Sequence, residues 1–262
     1  MLLRRFAKHL KTQDWTAITI EFGIVVLGVF VGLEVQNWNQ SRIEREAAVT
    51  YHGRILEEIR RNEHNLMARR DYYEQIRSHA QAARTSLRAD ASKLDGQFLV
   101  DAYMATQRWL LEIDRGVYDE ILSAGVVDTV LDPDSRMRLS NYYVVFESVL
   151  TTITDDTKYR NLVRMHLPVE LQRDIESHCG DEVKTDARGA VSISLSSKVP
   201  EWEAETVNWG VTALLDQPEL RASLNFRISD VDTKITVLER NIQRTRALAY
   251  HFEDRRPTVA AR

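Results

Sequence analysis

The sequence predicts an all-α fold: an N-terminal transmembrane helix followed by a bundle of long helices, with a short extended insertion near residues 190–196. Three observations predict it. One apolar run crosses residues 15–36; two long stretches place apolar residues at alternating steps of four and three; and 10 Gly and 5 Pro in 262 residues are too few for the turns of a sandwich or barrel. The implied organisation is a basic N-terminus (1–14), a transmembrane helix (15–36), a helical bundle on the far side (37–254) and a disordered tail (255–262).

The apolar run from Trp15 to Val35 reads WTAITIEFGIVVLGVFVGLEV, 21 residues. At about 1.5 Å per residue this matches the thickness of a hydrocarbon core. Trp15 and Trp38 bracket it, as interfacial anchors do. Arg4, Arg5, Lys8 and Lys11 precede it, whereas Arg42 and Arg45 beyond it are interleaved with Glu44 and Glu46. The positive-inside rule then puts the N-terminus in the cytoplasm and the residues after about Trp38 outside it. A cleaved signal peptide fits less well, because residues 34–38 (EVQNW) offer no small-x-small site. A buried soluble helix also fits less well, since residues 22–33 are apolar or Gly on every face.

Glu21, Val25, Gly28, Gly32 and Val35 step along the run by fours and threes, which gathers them on one helix face at about 100° per residue. Gly28 and Gly32 form G-x-x-x-G, a spacing that lets helix backbones approach closely in lipid. Glu21 shares that face, and an ionisable group inside a bilayer ordinarily meets a protein partner or water. The five residues form a candidate helix–helix interface with a second copy or another membrane protein. The competing view places Glu21 shallow enough to reach the headgroups. Glu34 lies opposite and is expected to be solvated.

Beyond the span, Ile55, Ile59, Asn62, Leu66, Arg69, Tyr73, Ile76, Ala80, Ala83 and Leu87 make a seam for packing along another helix. Asn62 and Arg69 interrupt it, as residues that fix register or face a cleft. An intramolecular bundle is the simpler use of the seam, an intermolecular coiled coil the other. Asp132 and Pro133 start a helix, as N-cap and first residue. It runs through Leu139, Tyr142, Phe146, Val149 and Ile153 toward Leu162. Pro168 stops it or starts the next, which ends near Cys179 and Gly180. Val191, Ile193 and Leu195 alternate with serines, the pattern of a short strand or extended loop; a strand there has no evident partner in the sequence, and a loop or a neighbouring copy could supply one. Pro200 opens a helix bearing Trp202 and Trp209. Asp216 and Pro218 precede the last long helix, whose seam is Leu224, Ile228, Val231, Ile235, Leu238, Ile242, Thr245, Ala249 and Phe252. The two seamed helices most simply pack antiparallel, with the others completing a bundle.

Glu21 to Asn39, EFGIVVLGVFVGLEVQNWN, resembles the opening of an uncharacterised bacterial family of single-pass membrane-anchored proteins, in which an acidic residue leads an apolar helix followed by N-W-N. Gly28, Leu33, Asn37, Trp38 and Asn39 match that pattern. Tyr118 to Gly125, YDEILSAG, is similar to the family's Y-E-E-L-K-S-S-G, with Tyr142 and Tyr143 as its tyrosine pair. The sequence departs at Glu34, where the family has Gln, and at Leu122 and Ala124, where it has Lys and Ser. The resemblance covers about the first 150 residues. It implies a single-pass topology and no known activity.

Net charge is -4 with a pI near 6.0, and clusters such as Arg60–Arg61 and Arg69–Arg70 are balanced by nearby acids, so no nucleic-acid surface is expected. Cys179 is the single cysteine, which rules out an internal disulfide and a multi-cysteine metal site. The seven histidines form no H-E-x-x-H or H-x-x-x-H, and G-x-S-x-G, P-loop and dinucleotide fingerprints are missing. His178–Cys179 is a conceivable nucleophile pair, but adjacent helical residues point apart. Glu57–Glu58 and Asp155–Asp156 are conceivable metal carboxylates, expected instead to face solvent. The expectation is a non-enzymatic interaction or scaffold protein without cofactor, bound to the lipid bilayer, self-associating or joined to another membrane protein. Alternatives are a proton-coupled transducer subunit using Glu21 and a periplasmic ligand-sensing bundle.

Overall fold

A computed structural model describes residues 15–89, 93–154, 157–185, 191–196 and 198–255. Helix α1 takes in Trp15–Ala89. Its N-terminal part is long and apolar enough to cross a membrane, and none of that apolar window is buried. The described residues divide into two compact bodies, one before Tyr51 and one from Tyr51 to Arg255.

Within the second body follow α2 (Gly96–Met104), α3 (Gly116–Ser123), α4 (Val127–Val130), α5 (Pro133–Thr154), α6 (Lys158–His166) and α7 (Val169–Cys179). The hairpin β1 (Asp181–Thr185) and β2 (Val191–Leu195) comes next, then α8 (Ala204–Leu215) and α9 (Leu220–Asp254). The fold is all-α with a short β insertion.

All ten α1 seam positions are buried, Asn62 and Arg69 included, as are all nine on α9. Each fully buried Leu or Ile contributes about 2 kcal/mol over an exposed one. The two helices run antiparallel, because partner numbers rise along one as they fall along the other. Arg60 pairs with Glu253 at 2.6 Å, Glu63 with Arg246 at 2.6 Å and Arg77 with Asp232 at 3.6 Å, and Arg221 donates to the Leu87 carbonyl at 2.5 Å. Helices α5 and α6 pack on α9. The main apolar cluster joins Ala80 and Leu87 of α1 to Phe98 and Tyr103 of α2, Tyr159 of α6, Ile175 of α7, Leu214 of α8 and Leu224 of α9.

Three expectations are corrected. The helix begun at Pro133 does not reach Leu162: it ends at Thr154, and α6 starts after an extended Thr157. Thr151, Thr152 and Thr154 favour helix weakly. The break lets Tyr159 enter the core, where its hydroxyl donates to the Ala102 carbonyl at 2.9 Å. The strand at 191–195 does have a partner in β1, antiparallel, with Val183 opposite Ile193. β1 lacks an alternating pattern because all five of its residues are exposed. Finally, Trp202 precedes α8 rather than lying on it. Its indole N–H donates to Asp174 at 3.1 Å, and its ring packs at Gly96, where a Cβ would come within 3.2 Å.

Candidate helix–helix interface and buried polar sites

Glu21, Val25, Gly28, Gly32 and Val35 all lie on α1 and are exposed. A Cβ built on Gly28 or Gly32 would meet no atom within 4 Å, so both glycine faces are open. Val25 and Val35 are 63% and 59% exposed. Trp38 is half exposed, and the Trp15 ring lies outside the described residues, as do Arg4, Arg5, Lys8, Lys11 and the tail beyond Arg255.

In the bundle, the irregular segment 105–115 crosses between helices, and charged or polar side chains satisfy its main chain. Asn62 accepts from the Asp114 N–H at 2.8 Å and donates to the Asp114 carbonyl at 2.7 Å. Arg69 donates to the Leu110 carbonyl at 2.8 Å while its guanidinium lies 4.4 Å from the Trp109 ring centre. Arg227 donates to the Ala105 and Gln107 carbonyls at 2.9 and 2.7 Å and pairs with Asp230 at 2.8 Å. Arg160 donates to the Thr106 carbonyl at 2.8 Å. Buried main-chain groups need such partners, and this segment takes them from α1, α6 and α9.

Glu58 corrects the expectation that Glu57–Glu58 faces solvent: Glu57 does, but Glu58 is fully buried. Its carboxyl accepts from the Tyr143 hydroxyl at 2.5 Å and from the Val117 N–H at 2.6 Å. Burial pushes the Glu58 carboxyl above its ordinary range, against those hydrogen bonds, which pull it down. Burial and the Glu58 carboxylate together drive the Tyr143 phenol upward. Tyr143 also stacks on Tyr118 at 4.8 Å and meets Tyr142 edge-on at 5.0 Å, so the tyrosines of the second family-like motif are core contacts.

Other titratable groups are absorbed structurally. His178 bonds the Asp174 carbonyl at 2.9 Å, whereas the buried Cys179 thiol donates to the Lys198 carbonyl at 2.6 Å, so the two do not form a pair. Burial pushes the Cys179 thiol up, the direction opposite to activation. Ser135, His251 and Asp134 come together without any sequence motif: Ser135 Oγ lies 2.9 Å from His251 Nε2, and His251 Nδ1 lies 4.0 Å from Asp134. The Ser135 hydroxyl donates to Asp132 at 2.5 Å, leaving its oxygen to accept from the imidazole. A nucleophilic serine passes its proton the other way. Asp132 meanwhile accepts the Asp134 and Ser135 N–H groups, as the N-cap of α5.

Asp155–Asp156 lies outside the described residues, among which no group of three His, Cys, Asp or Glu could hold a metal ion. A groove of about 340 Å³ between α5 and α9 is lined by Tyr142, Phe146 and Leu248 with Arg138 and Arg244. Sequence reasoning named Glu58 but missed its burial, and it missed Arg227 and the buried Lys234, whose ammonium pairs with Asp230 at 3.3 Å. Their signal was spacing: each follows a seam residue (Ile55, Leu224, Val231) by three and therefore shares the apolar face. No known family model, curated protein or solved structure matches the chain.

Proposed function

We propose that the chain is a membrane-anchored interaction protein that self-associates through its span and carries the bundle as a scaffold, with no catalysis of its own. The observation behind this is the stripe of α1: two open glycines at i and i+4, flanked by exposed Val25 and Val35, on the face that carries Glu21. Small residues let helices approach to van der Waals contact in lipid, and a carboxyl group there gains from a partner. The basic residues before the span favour a cytoplasmic N-terminus and a periplasmic bundle at a bacterial inner membrane. The likeness of Glu21–Asn39 to membrane-anchored proteins supports the same topology.

Single cysteines at positions 25, 28 and 32, in a chain with Cys179 replaced by Ser, should crosslink in native membranes more readily than cysteines at 27, 30 and 34. Equal coupling on both faces rejects the interface. Glu21→Gln then separates packing from proton coupling. Lost assembly assigns Glu21 to packing; retained assembly with lost activity of the complex assigns it to proton transfer.

A further inference from the structure

We propose that strand β1 is a self-complementary edge, which pairs antiparallel with β1 of a second copy about a two-fold axis at Val183. The inference rests on the self-association proposed above and adds a second contact, made by the bundle.

The outer edge of β2 is already occupied. Gln75 of α1 accepts from the Leu195 N–H at 2.8 Å and donates to the Ile193 carbonyl at 3.4 Å. Those main-chain groups therefore point away from β1, so the pairs Asp181–Leu195, Val183–Ile193 and Thr185–Val191 are the non-hydrogen-bonded ones. It follows that the N–H and C=O groups of Asp181, Val183 and Thr185 turn outward on the open side of β1. No hydrogen bond reaches these main-chain groups among the described residues. All five β1 residues are exposed, Val183 by 60%. An open edge of this kind is a template for another strand.

The charges choose the occupant and the register. With Val183 opposite the second copy's Val183, Glu182 stands opposite Lys184 and Lys184 opposite Glu182. Both pairs fall at non-hydrogen-bonded positions, where side chains come closest. Sliding the strands by two residues sets Glu182 against Glu182 in one direction and Lys184 against Lys184 in the other, so each neighbouring register meets like charges. The central register alone aligns the outward main-chain groups and opposes the charges, giving a four-stranded sheet β2-β1-β1-β2. Five residues per strand make a weak contact in dilute solution, and confinement to one membrane raises the effective concentration.

The test is oxidative crosslinking in native membranes of the full chain with Cys179→Ser. Val183→Cys should couple severalfold above Val144→Cys, an exposed control on α5. A Cα separation near 5.5 Å across the two-fold suits a disulfide. Adding Glu182→Lys should reduce coupling to the control level, and Glu182→Lys with Lys184→Glu should restore it. Coupling at 183 no greater than at 144, or unchanged by Glu182→Lys, overturns the pairing. Gly28→Cys, run in parallel, reports the span separately: coupling at 28 without coupling at 183 overturns the edge contact alone.

Discussion

Glu58 carries the clearest residue-scale consequence. Its carboxyl is sealed from water between Tyr143 and the start of α3, and burial raises it above an ordinary value of 4.5. A raised folded-state value means that the protonated form favours folding. Its contribution is complete below the unfolded value and is lost as pH rises through the folded value. Urea midpoints should therefore decline less between acid and neutral pH in Glu58→Gln than in the parent, and an unchanged slope would separate Glu58 from folding. Glu58→Ala strands the Val117 N–H and the Tyr143 hydroxyl and should cost about 3 kcal/mol at neutral pH. Gly125 is the other residue fixed by geometry. It ends α3 at a φ of +67°, with the Val126 N–H reaching the Ile121 carbonyl at 3.3 Å. Gly125→Ala should lower stability by about 1 kcal/mol in urea unfolding, because a Cβ is strained there.

At the scale of elements, α9 does more than present an apolar seam. Arg227 is buried and holds two carbonyls of the segment 105–115, so α9 determines the path of a stretch that has no regular structure. Replacing it with Met keeps the aliphatic stem and removes the donors. The orphaned carbonyls and the weakened Asp230 pair should cost about 3 kcal/mol. Amide exchange should rise in residues 105–115 before it rises in α1, and uniform exchange across the bundle would contradict the holding role. Asn62 and Arg69 do the same from α1, which explains why a helix seam tolerates two polar breaks.

For the whole molecule, the separation of residues before Tyr51 from the bundle predicts that association and folding respond independently. Gly28→Ile with Gly32→Ile fills both open faces with branched side chains. Crosslinking through position 25 should fall severalfold, while retention in the membrane after a carbonate wash and the thermal midpoint of the bundle stay unchanged. A shift in that midpoint would show that the two bodies are energetically coupled. A membrane anchor needs only length and apolarity, the proposed association needs a shape, and the bundle needs a core, so each requirement falls on different residues.

The sequence by itself determined the all-α class, the apolar span and both seams, because a helix repeats every 3.6 residues and every buried position leaves a periodic mark. It also marked the N-cap at Asp132. Only the tertiary structure decided the break at Thr157, the β1 partner of β2 and the meeting of Ser135 with His251. Those depend on contacts between residues far apart in the chain, where no period exists to read. β1 is the plainest case: its residues are all exposed, so nothing in their order sets them apart from a loop, and the strand exists because Gln75 fixes β2 and β2 supplies a ladder of hydrogen bonds.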